Sequence, residues 1–173
     1  MEQRFKNYIM INGRATEITD DMIDNILHVF EKDSEKNRNP FSRVNGNYYT
    51  VKDDGVIWGY VDVQDQDDNS RYDNLNYFND KAFAKQVALH QLLYRKLLKF
   101  AYNYNCLDTA SWNGIVQHWF IGYDCKSKQY VADYSCSIIK SNTVYFNSRN
   151  AANWAINQVV RRFEEEHPEF SWK

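Results

Sequence analysis

Glycine and proline are scarce in this 173-residue chain, 6 and 2 residues respectively, and the scarcity removes several kinds of site before any motif is sought. A phosphate-cradling loop needs clustered glycines, and neither GxxxxGK[ST] nor GxGxxG occurs; the GxSxG nucleophile elbow is missing too. Cysteine is also sparse. Cys106, Cys125 and Cys136 are odd in number and lack CxxC spacing, which argues against a disulfide framework or a structural zinc site and for free thiols packed as small hydrophobes. Of the four histidines, His28, His90, His118 and His167, none has the helical spacing of an HExxH metal site. No apolar run approaches the 18 residues of a membrane span, and the opening MEQRFKNYIM lacks the apolar stretch of a signal peptide. The expectation is a cytoplasmic protein with no membrane contact. A net charge of -2 is a poor basis for non-specific attraction to nucleic acid.

What is present is aromatic. Tyr 13, Phe 10 and Trp 5 make 16% of the chain, enough to fill the core of one soluble domain or two very small ones without disulfides or metal.

The hydropathy pattern divides the chain into an N-terminal segment, 1–40, and two similar modules, 46–107 and 112–173. In the first segment, apolar runs flank Asn12-Gly13, a hairpin signal, and Met22, Ile23, Ile26, Leu27 and Phe30 fall at helical spacing up to about Asp33. Ser34 to Pro40 carries no apolar residue and reads as a linker. The first module alternates through Tyr48, Tyr49 and Val51, turns at Asp53-Asp54-Gly55, and returns through Val56 to Val63. A polar loop from Gln64 to Arg71 and a short third strand within Tyr72 to Phe78 should follow. Asp80 then caps a helix from Lys81 to about Asn105. The second module repeats this order: a strand from His118 to Tyr123, a strand from Tyr130 to Ile139, a short strand from Thr143 to Phe146, and a helix capped by Ser148. The helix starts Tyr77-Phe78-Asn79-Asp80-Lys81 and Tyr145-Phe146-Asn147-Ser148-Arg149 match in kind position by position, which points to a duplicated unit. The expected fold is α+β, with antiparallel sheets each packed on a long helix and a short N-terminal hairpin-helix segment.

The search for chemistry returns little. Cys125 and His118 could be imagined as a dyad, but no orienting group or oxyanion site accompanies them, and they read as unrelated residues near the ends of one strand. Asp65-Gln66-Asp67-Asp68-Asn69 begins like a calcium loop but has Ser70 where glycine is needed and Asn76 where a bidentate glutamate is needed. No metal, no cofactor and no catalytic residue is expected. The most distinctive polar feature is acidic: from Asp53 to Asp80 there are eight aspartates against the single base Arg71. Asp62, Asp65, Asp67, Asp68 and Asp73, with Tyr72 and Tyr77 as aromatic anchors, are therefore the candidate partner-binding residues, either as a solvated loop or as a surface imitating a phosphate backbone. The alternative is the basic face of the long helix, Lys85, Arg95, Lys96 and Lys99, which would suit direct nucleic-acid contact.

The segments YYTVKDDGVIWGYVD, RYDNLNYFNDKAFA, LLYRKLLKFAYNYN, HWFIGYD and VYFNSRNAANWAI resemble a type of small protein carried by phages and prophages of low-GC Gram-positive bacteria. The likeness spans about residues 46 to 160. Asp80 stands where that type carries a hydroxyl cap, and Ala82-Phe83 where it carries a glutamate pair. The resemblance supplies no catalytic residues. It implies an accessory protein of the kind that includes anti-CRISPR proteins: a non-enzymatic inhibitor binding a host defence complex, above all a Cas9-type effector. The runner-up is a nucleic-acid-binding or structural phage accessory protein. The oligomeric state stays open.

Overall fold

A computed structural model describes residues 8–11, 14–17, 19, 22 and 39–171. The chain divides into two compact units, Met1–Ser42 and Arg43–Lys173. In the first, β1 (Tyr8–Ile11) and β2 (Arg14–Glu17) pair antiparallel, Tyr8 opposite Glu17 and Ile11 opposite Arg14. The Thr19 hydroxyl accepts from the Met22 amide at 3.3 Å. The expected hairpin turn at Asn12-Gly13, the helix from Ile23 to Asp33, and residues 34–38 of the expected linker lie outside the described residues.

The second unit is α+β. β3 (Asn47–Val51) and β4 (Ile57–Val61) pair antiparallel around a turn in which Gly55 takes a φ of 84°, a conformation costly for any residue with a Cβ. Two helices follow, α1 (Gln66–Asp73) and α2 (Lys81–Asn103). The Asp80 side chain caps α2, accepting from the amides of Ala82 at 2.7 Å and Phe83 at 3.0 Å. β5 (His118–Asp124) and β6 (Gln129–Ser135) form the next hairpin. After it α3 (Arg149–Ala155), capped by Ser148, runs through a π-helical turn, Ile156–Val160, into α4 (Arg161–Glu166).

Three expectations differ. Gln66–Asp73 is helical rather than a loop, because Asp65 caps it through the Asp68 amide and because Asp68 and Arg71 bond to the sheet beneath. The expected third strands shrink to single bridges. Phe78 exchanges both backbone hydrogen bonds with Tyr49, at 2.7 and 2.9 Å, and Phe146 does the same with Trp119, at 3.3 and 2.7 Å. Beside Phe78 a side chain completes the ladder: the Asn76 amide accepts from Val51 N–H at 2.8 Å and donates to Val51 C=O at 3.0 Å, as a peptide group would. β6 stops at Ser135, short of the Ile139 expected from the apolar run.

The two modules share geometry at these bridges. Each has a phenylalanine that pairs with the first strand of its hairpin and stands two residues before a helix cap, Phe78 before Asp80 and Phe146 before Ser148. α2 packs on β3 and β4 and also on α3 and the π turn, while α3 packs on β5 and β6. One apolar cluster therefore runs from Leu89, Leu93, Leu97 and Phe100 of α2 through Ile121 and Phe146 to Ala152, Ile156, Val160 and Phe163. The stretch after α4 folds back along α2: the Gln86 side chain donates to Glu169 C=O at 2.7 Å and accepts from Ser171 N–H at 3.0 Å, and Phe170 meets the His90 ring edge-on at 4.8 Å.

Candidate functional site

The acidic segment is built on a buried hydrogen-bond network. Arg43 holds Asp62 with two nitrogens, Nε to Oδ2 at 2.7 Å and Nη2 to Oδ1 at 2.8 Å, and reaches Asn69 Oδ1 with Nη1 at 2.6 Å. Asp62 also accepts from Gln64 N–H at 2.9 Å and lies 3.0 Å from the Tyr77 hydroxyl. The Arg43 bond holds the Asp62 carboxyl well below the usual range, and Asp62 raises the Arg43 guanidinium in return. A second knot lies under α1. Tyr48 donates to Asp68 Oδ1 at 2.5 Å, Arg71 Nη1 donates to the Tyr48 oxygen at 2.7 Å, and Val63 N–H donates to Asp68 Oδ2 at 2.9 Å. Tyr48 and Tyr77 stack with centroids 4.1 Å apart, and the Arg71 guanidinium covers Tyr60 at 4.2 Å. Burial first, and then the bond to Asp68, push the Tyr48 phenol up to about 12; the same bond lowers Asp68.

This network sorts the expected partner-binding residues. Asp68 is 2% exposed, Tyr77 1%, and the Asp62 side chain 2%. These three hold α1 and the chain before it on the sheet and do not belong to a docking surface; counting charge along the sequence could not separate them from their exposed neighbours. Asp65, Asp67 and Asp73 face solvent, as do Asp53 and Asp54 in the hairpin turn, and Tyr72 is partly open beside them. A signal for the buried pair did exist in Arg71, the lone base of the segment, set three residues after Asp68.

Of the four bases of the alternative surface, two meet glutamates from the end of α4 and the stretch after it. Lys85 pairs with Glu169 at 3.0 Å and Lys96 with Glu166 at 2.8 Å, which leaves Arg95 and Lys99 exposed without these neighbours. Arg95 lines a cleft of about 250 Å³ with Lys52, Asp53 and Asn76.

A third polar feature was not anticipated. His118 is fully buried, stacked on Trp112 at 3.7 Å with the rings 6° from parallel, and its Nδ1 is bonded to Asp108; Nε2 finds no partner among the described residues. Asp108 orients this ring as a carboxylate orients a catalytic base, but Nε2 lies in the core, and Cys125 sits beyond the far end of the seven-residue β5, about 20 Å away along the strand. Cys106 is buried and its thiol raised by that burial, while Cys125 and Cys136 are exposed. No group of three His, Cys, Asp or Glu side chains is placed to hold a metal among the described residues. The calcium-like run is taken up otherwise, Asp65 capping α1 and Asn69 bonding Arg43. A cleft of about 220 Å³ between α2 and β5, floored by Leu93, Leu97, Ile121 and Phe146, falls below the usual size of a small-molecule site. Among the described residues no helix is long and apolar enough to cross a membrane. Comparison with models of protein families, with curated proteins and with solved structures finds no match to this chain.

Proposed function

We propose that this chain is a non-enzymatic phage or prophage accessory protein that binds and inhibits a host defence complex in the cytoplasm of the infected cell, with a Cas9-type effector as the target. One observation supports this reading: a solvent-facing acidic helix is moored to a sheet by an internal network, and its outward carboxylates, Asp65, Asp67 and Asp73, outnumber the segment's one base, Arg71, which lies 3.5 Å from Asp67. Asp62 and Asp68 are occupied in fixing α1, so Asp65, Asp67 and Asp73 are presented on a rigid support. Effectors that handle nucleic acid hold it in lysine- and arginine-lined channels, and a preorganised row of carboxylates steers encounter with such a channel and loses little freedom on docking. Tyr72, with Trp58 on β4, offers the aromatic contact that slows release. The matching bridges at Phe78 and Phe146 favour an origin of the two modules by duplication, each sheet with its own helix.

The test is DNA cleavage by a Cas9-type effector loaded with guide, together with association rates measured against salt for the wild type and for the combined change Asp65→Lys, Asp67→Lys, Asp73→Lys. Inhibition by the wild type, with slower and less salt-sensitive association of the reversal, is expected. Absence of binding and inhibition overturns the reading. Salt-sensitive retention of the protein alone on DNA favours the nucleic-acid-binding alternative, for which Arg95 and Lys99 are the remaining bases of the α2 face.

A further inference from the structure

We propose that the outer edge of β4 is a docking strand, on which an extended lysine- or arginine-bearing segment of a partner protein adds by backbone pairing. This rests on the reading above that the partner presents a basic surface, and it adds where and how the contact is made.

The argument starts from the ladder. Tyr49 spends both its backbone groups on Phe78, and Val51 spends both on Asn76, so both residues point away from β4. In an antiparallel pair the residues opposite them, Gly59 and Ile57, then direct N–H and C=O away from β3, and Val61 follows by alternation. No hydrogen bond reaches the outward groups of Ile57, Gly59 or Val61 among the described residues. The edge is accessible: Gly59 is exposed, Trp58 is 54% exposed and Val61 61%. β6, the other outer strand, is blunted, because the Asp133 side chain already accepts from the Tyr134 N–H at 2.8 Å.

The charges around β4 select the occupant. Exposed Asp53 and Asp54 precede the strand, and exposed Asp65 and Asp67 follow it, while Lys52 lies over the Trp58 and Tyr60 rings, 5.3 Å from each, and Arg71 covers Tyr60 at 4.2 Å and lies 3.5 Å from Asp67; the acids outnumber these two bases. A second copy pairing edge to edge would bring the Asp53-Asp54 end of one chain to the Asp65-Asp67 end of the other, acid against acid. A basic extended segment meets opposite charge at both ends and apolar side chains between them, the mode in which main-chain bonds give affinity and flanking side chains give choice.

The probes are two capped peptides, one alternating lysine and valine, the other glutamate and valine, titrated into the isotopically labelled full chain while backbone amides are followed by NMR and hydrogen exchange. The lysine peptide is expected to shift and protect Ile57, Gly59 and Val61, and the glutamate peptide to leave them unchanged. Gly59→Pro removes an outward N–H and sets a Cβ 3.6 Å from the Tyr49 ring, an ordinary contact, and proline is tolerated on an edge strand; with its circular dichroism unchanged it should bind the lysine peptide about tenfold more weakly. Peptide shifts confined to α1, with wild-type affinity in Gly59→Pro, overturn edge pairing while leaving the acidic surface standing. No shift on β4 with either peptide also overturns it, and the cleavage assay then judges the functional reading separately. Doubling of mass with concentration, accompanied by protection of Gly59, overturns it in favour of a second copy.

Discussion

Arg43 and Asp62 are joined at two points, so the residue that opens the second unit is locked to the residue that follows β4. Apart from the Asp65 cap, α1 is held by this pair and by the Tyr48 knot beside it. Arg43→Met should lower the melting temperature by several degrees and raise hydrogen exchange across Gln66–Asp73, with little effect on β5 and β6. Uniform loosening of the chain would contradict this.

The acid response carries a defined sign. Asp62 and Asp68 are held below the usual carboxylate range, so on acidification the unfolded chain takes up these protons first. Their stabilisation is complete above about pH 5 and drains away as pH falls below about 4. Urea midpoints of the wild type should fall through that window, whereas Asp62→Asn should start lower at neutral pH and change less.

At the alkaline end the sign is opposite. The Tyr48 phenol keeps its proton to about 12 when folded, while an unfolded tyrosine loses it near pH 10. The associated stability is present below about pH 10 and is lost as pH rises toward 12. Tyr48→Phe should flatten this alkaline loss while lowering stability at neutral pH, where Asp68 and Arg71 lose their shared partner.

Phe78 and Phe146 are both buried at the bridge of their modules, 2% and 0% exposed. Truncation to alanine should cost about 3 to 5 kcal/mol at either position, measured by chemical denaturation of the full chain. A cost below about 1 kcal/mol at one of them would mean that its bridge does not organise its module.

The thiols should sort by burial. Cys125 and Cys136 are expected to react with a maleimide within minutes under native conditions, and Cys106 only as the chain unfolds. Fast labelling of all three, read by mass spectrometry, would place Cys106 wrongly.

The hairpins and α2 were legible because their signals are local: alternation around Asp54-Gly55, and an unbroken helical stripe after the Asp80 cap. α1 was not. Its residues, Gln-Asp-Asp-Asn-Ser-Arg-Tyr-Asp, include weak helix formers and no apolar face, so the helix depends on bonds from Asp68 and Arg71 to Tyr48, twenty or more positions away. The same long reach hid the site. Five aspartates looked alike along the chain until Arg43 and Tyr48 drew Asp62 and Asp68 inward, and the basic face of α2 looked continuous until Glu166 and Glu169 returned to meet Lys96 and Lys85. The burial of His118 against Trp112 depends on Asp108 in the loop before β5, a pairing that no sequence spacing announces.

Asn76 makes the edge of the β3-β4 sheet depend on a side chain. Its side-chain amide stands where a neighbouring strand would offer a peptide bond, and unlike a peptide bond it can be lost without cutting the chain. Hydrolysis there takes up water, releases ammonia and leaves a carboxylate facing the Val51 carbonyl, two acceptors where a donor and an acceptor had met. A carboxylate at this one position would add a negative charge and loosen β3 on the side away from β4.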